Sequence, residues 1–510
     1  MPDAPRHDRL HLILVTLVLA TLAVKSILLV SWAMGTETWP LDAYYYVEKA
    51  MNLMRGEGLT VHWLEGPEAK FFPGFSVAMA PVWVLCLFQP WFWIAFQVGT
   101  LWLCAALLWR MARAIGGDSG FAWVATLVWA AHPIGLKWMA VPMAEGWATA
   151  MALGAVCFHL SGVRRPRASA AVGTGILAGL AISTRAEMLS LALALLLHWG
   201  LRRRGPRLRW LLWGGVGLVI GLLPLLLWLL SVWRVGRPAY LEEMARHGLP
   251  EQWWRAIRQG VYEFSYLIRV PNETDLGDLW LWLLSIGFAF SLVLALGGWL
   301  GRWGLGCAIF LLAYLTAHSL WHYHYERFLL PLVPIAALLW AGGGRLWLHR
   351  SLETPPPERW IRRSFALVLM TITSVAWLQF GSTLARDHLD HLIYAERFEH
   401  RRLARLIEEQ TPEGSVVITD LGPSLAFHLH RPTLFCQGIR DFYERQVTPE
   451  NALRTIRECG VHAVATHLSG VEWLVWAGIP PELAGCFRPG RSVSGVTLLL
   501  IDRAQLGVEQ

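Results

Sequence analysis

The feature that most constrains this chain is a succession of apolar runs, each about as long as a bilayer is thick. They fall at 10–33, 74–89, 91–110, 119–138, 142–162, 169–184, 187–200, 209–233, 278–298, 303–320, 326–346 and 362–382. A helix needs roughly 20 apolar residues to cross the ~30 Å hydrocarbon core, and only helices or closed barrels satisfy their backbone hydrogen bonds there. Composition agrees: 55% of the 510 residues are hydrophobic and 16% are charged, against roughly 25% charged in soluble chains. Many of the 30 tryptophans, such as Trp39, Trp91, Trp138 and Trp233, sit at the ends of these runs, where indole rings favour the headgroup zone. The first run is too long for a signal-peptide core and lacks a small-residue cleavage site, so it reads as a retained helix. The fold expected is a polytopic α-helical membrane protein of about 11–13 transmembrane helices with a small α/β C-terminal domain. The expected boundary divides it into 1–383 and 384–510.

Net charge is +7, but the basic residues are gathered in a few loops, a pattern of membrane topology rather than of nucleic-acid binding. Arg110 and Arg113, Arg164 to Arg167, Arg202 to Arg209, and Arg345 to Arg363 mark four such loops. An even number of spans separates each from the next, so all four are expected in the cytoplasm together with Arg6 and Arg9. The loops between them, and residues 384–510, then fall outside, on the far face of the cytoplasmic (inner) membrane. One conflict of parity remains in 74–110. Residues 74–89 are short, flanked by Pro73 and Pro90 and interrupted by Pro81, which suits a re-entrant or interfacial segment. The seven cysteines form no CxxC pair, so neither a zinc site nor a disulfide framework is indicated, although a bridge within the tail stays open.

The tail alternates helix and strand. Residues 394–410 read as an amphipathic helix, GSVVITD as a strand, SLAFHLH as a helix, PTLF as a strand, ALRTIRECG as a helix stopped by glycine, and VHAVATH and TLLLID as strands. The alternation resembles part of a Rossmann-like sheet, without a GxGxxG motif, so nucleotide binding is not supported.

Polar residues at the outer edges of the runs are the informative ones, because ionisable groups in or near a bilayer are costly. Asp42, in LDAYYYVEKA, suits a general base, or an acid capping the amphipathic helix after it. Lys70, in EAKFFPGF, suits a phosphate or simple snorkelling. Glu145, in PMAEGW, is placed as a helix N-terminal charge. Arg185 and Glu187, in STRAEML, lie between runs of about 16 and 14 residues. At roughly 24 and 21 Å of helix, those runs recess the turn into the outer leaflet, where Arg185 needs an anion: Glu187 or a phosphate. The stretch HSLWHYHYERF offers His318, His322, His324, Tyr325 and Arg327, a cationic and aromatic patch for a phosphate and a sugar, or an interfacial loop. A metal on His318 and His322 lacks an HExxH motif or a cysteine partner, so the cofactor is left unknown, with a divalent metal possible in principle.

In order, LDAYYY, KFFPGF, PMAEGW, TRAE and ERFLLPLVP resemble the motifs of the GT-C superfamily of membrane glycosyltransferases. The similar branch is the bacterial one related to protein O-mannosyltransferases and the aminoarabinose transferase of lipid A. The resemblance runs along essentially the whole chain. It departs in two places: position 43 is Ala where a second carboxylate is common, and Pro73 is followed by Gly74 where a second proline is common. What it implies is an inverting transferase moving a sugar from a polyprenyl-phosphate donor to a lipid, glycan or protein acceptor. Asp42 would be the base. Lys70, Arg185, His322, His324 and Arg327 would hold the phosphate, with Glu145, Glu187 and Tyr325 completing the site. Membrane lipids are expected partners and nucleic acid is not. The competing classes are a transporter or flippase of lipid-linked material, which more often shows repeat symmetry and mid-membrane polar residues, and a non-catalytic membrane assembly protein.

Overall fold

A computed structural model describes residues 4–35, 41–61, 71–89, 91–116, 118–132, 139, 141–200, 207–233, 304–319, 326–352, 400–421, 423–429, 431, 433–436, 447–491 and 495–506. The expected spans at 278–298 and 362–382 lie outside these residues. The chain divides into two compact units: Met1–Trp32, Phe72–Leu230 and Met244–Leu389 form the first, and Ala33–Phe71, Ser231–Glu243 and Asp390–Gln510 the second.

Unit 1 is helical. Its elements are α1 (Ala4–Gly35, shared at its end with unit 2), α3 (Gly74–Leu85), α4 (Phe92–Gly116), α5 (Ser119–Ala131), α6 (Ala144–Arg164), α7 (Ala168–Thr184), α8 (Leu189–Gly200), α9 (Arg207–Trp233), α10 (Gly304–Ser319) and α11 (Val333–Leu352). Among the described residues four helices are long and apolar enough to cross a membrane, at His11–Ser31, Phe92–Gly116, Ala144–Arg164 and Leu208–Trp233. Leucines along α1 and α9, such as Leu12, Leu212 and Leu230, are exposed, as lipid-facing side chains would be. The buried core is built from small and medium side chains of α4 to α8, α10 and α11, including Cys104, Ala148, Ala181 and Leu338.

Local sequence sets the helix ends. Asp118 caps α5, accepting from the Phe121 backbone N–H at 2.7 Å. The span expected over 119–138 stops at Ala131, because His132 precedes Pro133 and adopts the extended backbone that proline imposes on its predecessor. The run at 74–89 is helical only to Leu85, and Leu87 and Phe88 follow with φ of 53° and 61°. Twelve residues of helix give ~18 Å, too short to span the bilayer.

Helices α7 and α9 are in backbone contact. Ser183 Oγ donates to the Gly221 carbonyl at 3.0 Å. A Cβ placed on Gly179 of α7 would lie 2.6 Å from the Leu218 carbonyl oxygen of α9 and 2.7 Å from the Gly221 carbonyl carbon. Gly175 on the same face meets the Gly214 carbonyl oxygen in the same way. Small residues four apart are what allow membrane helices to approach this closely.

Unit 2 contains α2 (Leu41–Arg55) and the C-terminal elements α12 (His400–Gln410), β1 (Val416–Thr419), α13 (Pro423–Leu429), β2 (Thr433–Phe435), α14 (Ala452–Glu458), β3 (Val461–Thr466), α15 (Gly470–Trp476), β4 (Phe487–Pro489) and β5 (Thr497–Ile501). The sheet order is β2-β1-β3-β5-β4. β2, β1 and β3 are parallel, and β5 and β4 continue antiparallel. Alternation along the strands separates two apolar layers. Val417, Ala463 and Leu498 pack with Leu403 and Ile407 of α12 and Leu425 and Leu429 of α13. Ile418, Val464 and Leu499 pack with Ile456 of α14 and Trp473 of α15. This is the expected α/β tail, with one strand, β4, that the sequence pattern did not reveal. The thiols of Cys436, Cys459 and Cys486 are unbridged. Burial pushes the Cys436 thiol up to about 12.

The stretch expected to be amphipathic after Asp42 is different. Every residue from Asp42 to Asn52 is buried, so α2 has no wet face before its last turn. The Lys49 ammonium donates to the Phe71 carbonyl at 2.7 Å and sits 5.7 Å from the Tyr46 ring centre and 5.9 Å from that of Phe71.

Candidate functional site

The site in unit 1 is a buried charge cluster assembled from three chain turns. Glu145 lies in the first turn of α6, where the positive end of the helix favours a carboxylate. Arg185 is the single extended residue (φ −149°, ψ 125°) between α7 and the 3-10 turn Ala186–Met188, which carries Glu187. Arg327 sits in the 3-10 turn Glu326–Leu332, just before the helix start at Val333. Pro331 lies inside that turn and Pro334 follows it.

These turns converge on one carboxylate oxygen. Glu145 Oε1 is 3.1 Å from Arg185 Nη1 and 3.7 Å from Arg327 Nε, and the Glu145 side chain is only 1% exposed. Arg185 Nη2 donates to Glu187 Oε1 at 3.2 Å. The Phe328 ring completes the arrangement: the guanidinium carbons of Arg185 and Arg327 lie 4.4 and 4.9 Å from its centre, well within cation–π range. Two arginines and two glutamates balance in charge. This is how buried charges are tolerated at all, since removing one partner of a buried pair leaves an uncompensated ion.

Surrounding residues hold the turns. Gln97, fully buried in α4, donates to the carbonyls of Val141 and Met143, just ahead of Glu145. Met143 Sδ is 3.9 Å from Arg327 Nη1. Thr149 Oγ1 donates to the Glu145 carbonyl at 2.7 Å. A Cβ on Gly74 would come within 2.6 Å of Thr184 Oγ1 and of the Ser183 carbonyl carbon. The glycine after Pro73 is therefore required by its approach to the residues next to Arg185. Next to the cluster, a small apolar cavity runs from Thr149, one turn beyond Glu145, to His159 and His198. Those two imidazoles are 2.8 Å apart.

Of the residues singled out from sequence, Glu145, Arg185, Glu187 and Arg327 are thus brought together. Asp42 is in unit 2, in the first turn of α2, and is buried. Lys70, His322, His324 and Tyr325 lie outside the described residues. Sequence reasoning missed Phe328 and Gln97, and also Lys25, whose ammonium donates to the His132 carbonyl at 3.1 Å. The signal for Gln97 and Lys25 was available: each is a polar side chain inside an apolar run, and such residues face the bundle interior with a partner. Among the described residues no three His, Cys, Asp or Glu side chains gather as a metal site would require.

No protein-family model matches the chain, and no curated protein matches it by sequence. Solved structures do match. ArnT from Cupriavidus metallidurans bound to undecaprenyl phosphate superposes with a TM-score of 0.66 at 17% identity, over 95% of this chain and 97% of that one. Its apo form gives 0.63 at 16% identity, over 94% and 97%. The archaeal oligosaccharyltransferase AglB from Archaeoglobus fulgidus, in complex with an inhibitory peptide and a dolichol-phosphate, gives 0.53 at 13% identity, over 92% of this chain and 72% of that one. Both proteins are members of the GT-C superfamily. The chain has the GT-C fold. The likeness to ArnT extends almost from end to end, so the C-terminal sheet belongs to the GT-C match as much as the helices do. Within that fold, PMAEGW, TRAE and ERF are the three turns that meet at Glu145.

Proposed function

We propose that this chain is an inverting glycosyltransferase, moving a sugar from a polyprenyl-phosphate donor to an acceptor at the outer face of the cytoplasmic membrane, with its C-terminal domain on that face. The observation that carries the reading is the pair Arg185 and Arg327, gathered on Glu145 in a chain that follows undecaprenyl-phosphate-bound ArnT over 95% of its length. Guanidiniums match phosphate oxygens in charge and in planar geometry. An entering phosphate would share them with Glu145 or exchange for it. The apolar cavity next to the cluster, beginning at Thr149, suits the first isoprene units of the donor's tail. The orientation rests on the arginine-rich loops expected in the cytoplasm.

In this reading Asp42 accepts the proton of the acceptor's nucleophilic group. The acceptor atom then bonds to the anomeric carbon as the bond to the phosphate oxygen breaks. The departing polyprenyl phosphate takes the electron pair, and Arg185 and Arg327 offset its growing charge. Backside attack inverts the anomeric centre. Lys70, His322, His324 and Tyr325 remain proposed contacts to the phosphosugar, with Glu187 holding Arg185. A transporter or flippase would also bind lipid-linked phosphate, but would release no free polyprenyl phosphate. Binding and turnover of polyprenyl-phosphate sugars by the purified protein in lipid, with Arg185→Gln beside the native chain, tests the reading. Loss of phosphate binding in the variant supports it, and equal binding removes the arginine pair from the site.

A further inference from the structure

Unit 2 joins two stretches that are far apart in sequence, the segment 33–71 and the C-terminal domain. The junction is made by α2 and α13. The Tyr44 and Phe427 rings meet with centres 5.6 Å apart and planes tilted by 54°. Tyr44 is almost wholly buried and follows Asp42 by two residues in the same turn of α2. Further along, α2 is held by the entry to α3: Tyr45 and Tyr46 pack on the Phe71 ring at 5.0 and 5.6 Å, and Lys49 holds the Phe71 carbonyl. The two ends of α2 are therefore set by different parts of the protein. The Lys49 end is set by the chain running into α3, and the Asp42 end by α13. The place of α13 is fixed in turn by the sheet, because its Leu425 and Leu429 belong to the apolar layer containing Val417 of β1 and Ala463 of β3.

We infer that the C-terminal domain is the clamp that positions the first turn of α2, with Phe427 as the positioning residue for Asp42. The clamp itself follows from packing alone. Its consequence for turnover rests on the transferase reading, in which Asp42 is the base. Misplacing a reacting group by an ångström can cost ~100-fold in rate, so an aromatic contact remote from the reacting atoms becomes a determinant of kcat. It would leave donor binding, which belongs to the arginine cluster of unit 1, unaffected.

The test uses the full-length protein in lipid and two readouts. Hydrogen exchange reports α2 directly, whatever the reaction. Phe427→Ala is expected to reduce protection of the amides between Tyr44 and Lys49 by roughly tenfold, as loss of an aromatic pair implies, while β1 and β3 stay protected. Phe427→Tyr, which keeps the ring, is expected to retain protection. In turnover, Phe427→Ala lowers kcat by roughly 10- to 100-fold with the donor KM unchanged, and Phe427→Tyr restores it. Should Phe427→Ala also expose β1 and β3, Tyr44→Ala removes the same contact from the other side, and the same loss in α2 is required of it. Unchanged α2 protection in the alanine variants overturns the clamp. Lost protection with unchanged kcat overturns the positioning role. A native protein inactive with every donor counts against the transferase reading, and hydrogen exchange still decides the clamp.

Discussion

Gly179→Ala adds one methyl group at the seam between α7 and α9, and its effect follows from the distances there. The new carbon would stand 2.6 Å from the Leu218 carbonyl oxygen, where ordinary contact begins at 3.4 Å, so the helices must part by about 0.8 Å. A gap of 0.5–1 Å forfeits a quarter to a half of each dispersion contact along the seam, and forced overpacking typically costs ~1–3 kcal/mol. The gain in helix propensity, about 1 kcal/mol from glycine to alanine, offsets only part of that. Gly215→Ala, on α9 itself, is the internal control, since a Cβ there meets nothing within 4 Å and only the propensity gain remains. Unfolding midpoints measured in one detergent–lipid mixture by tryptophan fluorescence should fall by several degrees for Gly179→Ala and hold or rise for Gly215→Ala. Because α7 runs directly into Arg185, the first variant should also weaken polyprenyl phosphate binding. If the two variants shift the midpoint equally, the close approach of α7 and α9 is wrong.

Three further outcomes are expected. Gly74→Ala should fold but bind polyprenyl phosphate at least severalfold more weakly in a lipid-binding assay, because its methyl group would press on Ser183 and Thr184 beside Arg185. Ser469→Ala should cost the C-terminal domain ~1 kcal/mol, read as faster amide exchange in β3, since it removes the reciprocal cap in which Ser469 and Glu472 bond each other's backbone N–H groups. Burial holds the His462 imidazole below its usual value. The unfolded chain therefore takes up the proton first. This contribution to stability is complete above pH ~6.5 and declines as the pH falls from there toward the folded value. Exchange protection in β3 measured between pH 7 and 5 should decrease, and His462→Gln should flatten that decrease.

The helices and most tail strands were legible because their apolar periods differ, long apolar runs for helices and two-residue alternation for strands. The turn at TRAE was legible for a related reason: two short apolar runs leave Arg185 and Glu187 in the connection between them, whatever their neighbours. What stayed hidden depended on contacts between distant segments. β4 is three residues ending in proline, pairing among the described residues with β5 alone, and carries too little pattern to announce itself. α2 looks amphipathic in one dimension because Glu48 and Lys49 are charged, yet both are buried and Lys49 is satisfied by a carbonyl 22 residues away. Phe328 stands beside an arginine in the sequence, but its contact with a second guanidinium, that of Arg185, depends on where α7 ends. Gln97 and Lys25 were visible as polar breaks within apolar runs, but the reading weighed only the outer edges of the helices.

The central claim is the transfer itself, and release of free polyprenyl phosphate measures it most directly. Purified protein in lipid is given polyprenyl-phosphate sugars with cell-envelope acceptors, beside Asp42→Asn at the same concentration and with equal thermal stability. The account predicts that the native chain releases polyprenyl phosphate and inverts the sugar, and that Asp42→Asn binds the donor without turning it over. Equal release by the native protein and the Asp42→Asn variant would contradict Asp42 as the base, and donor movement across the bilayer without any release would contradict the transferase.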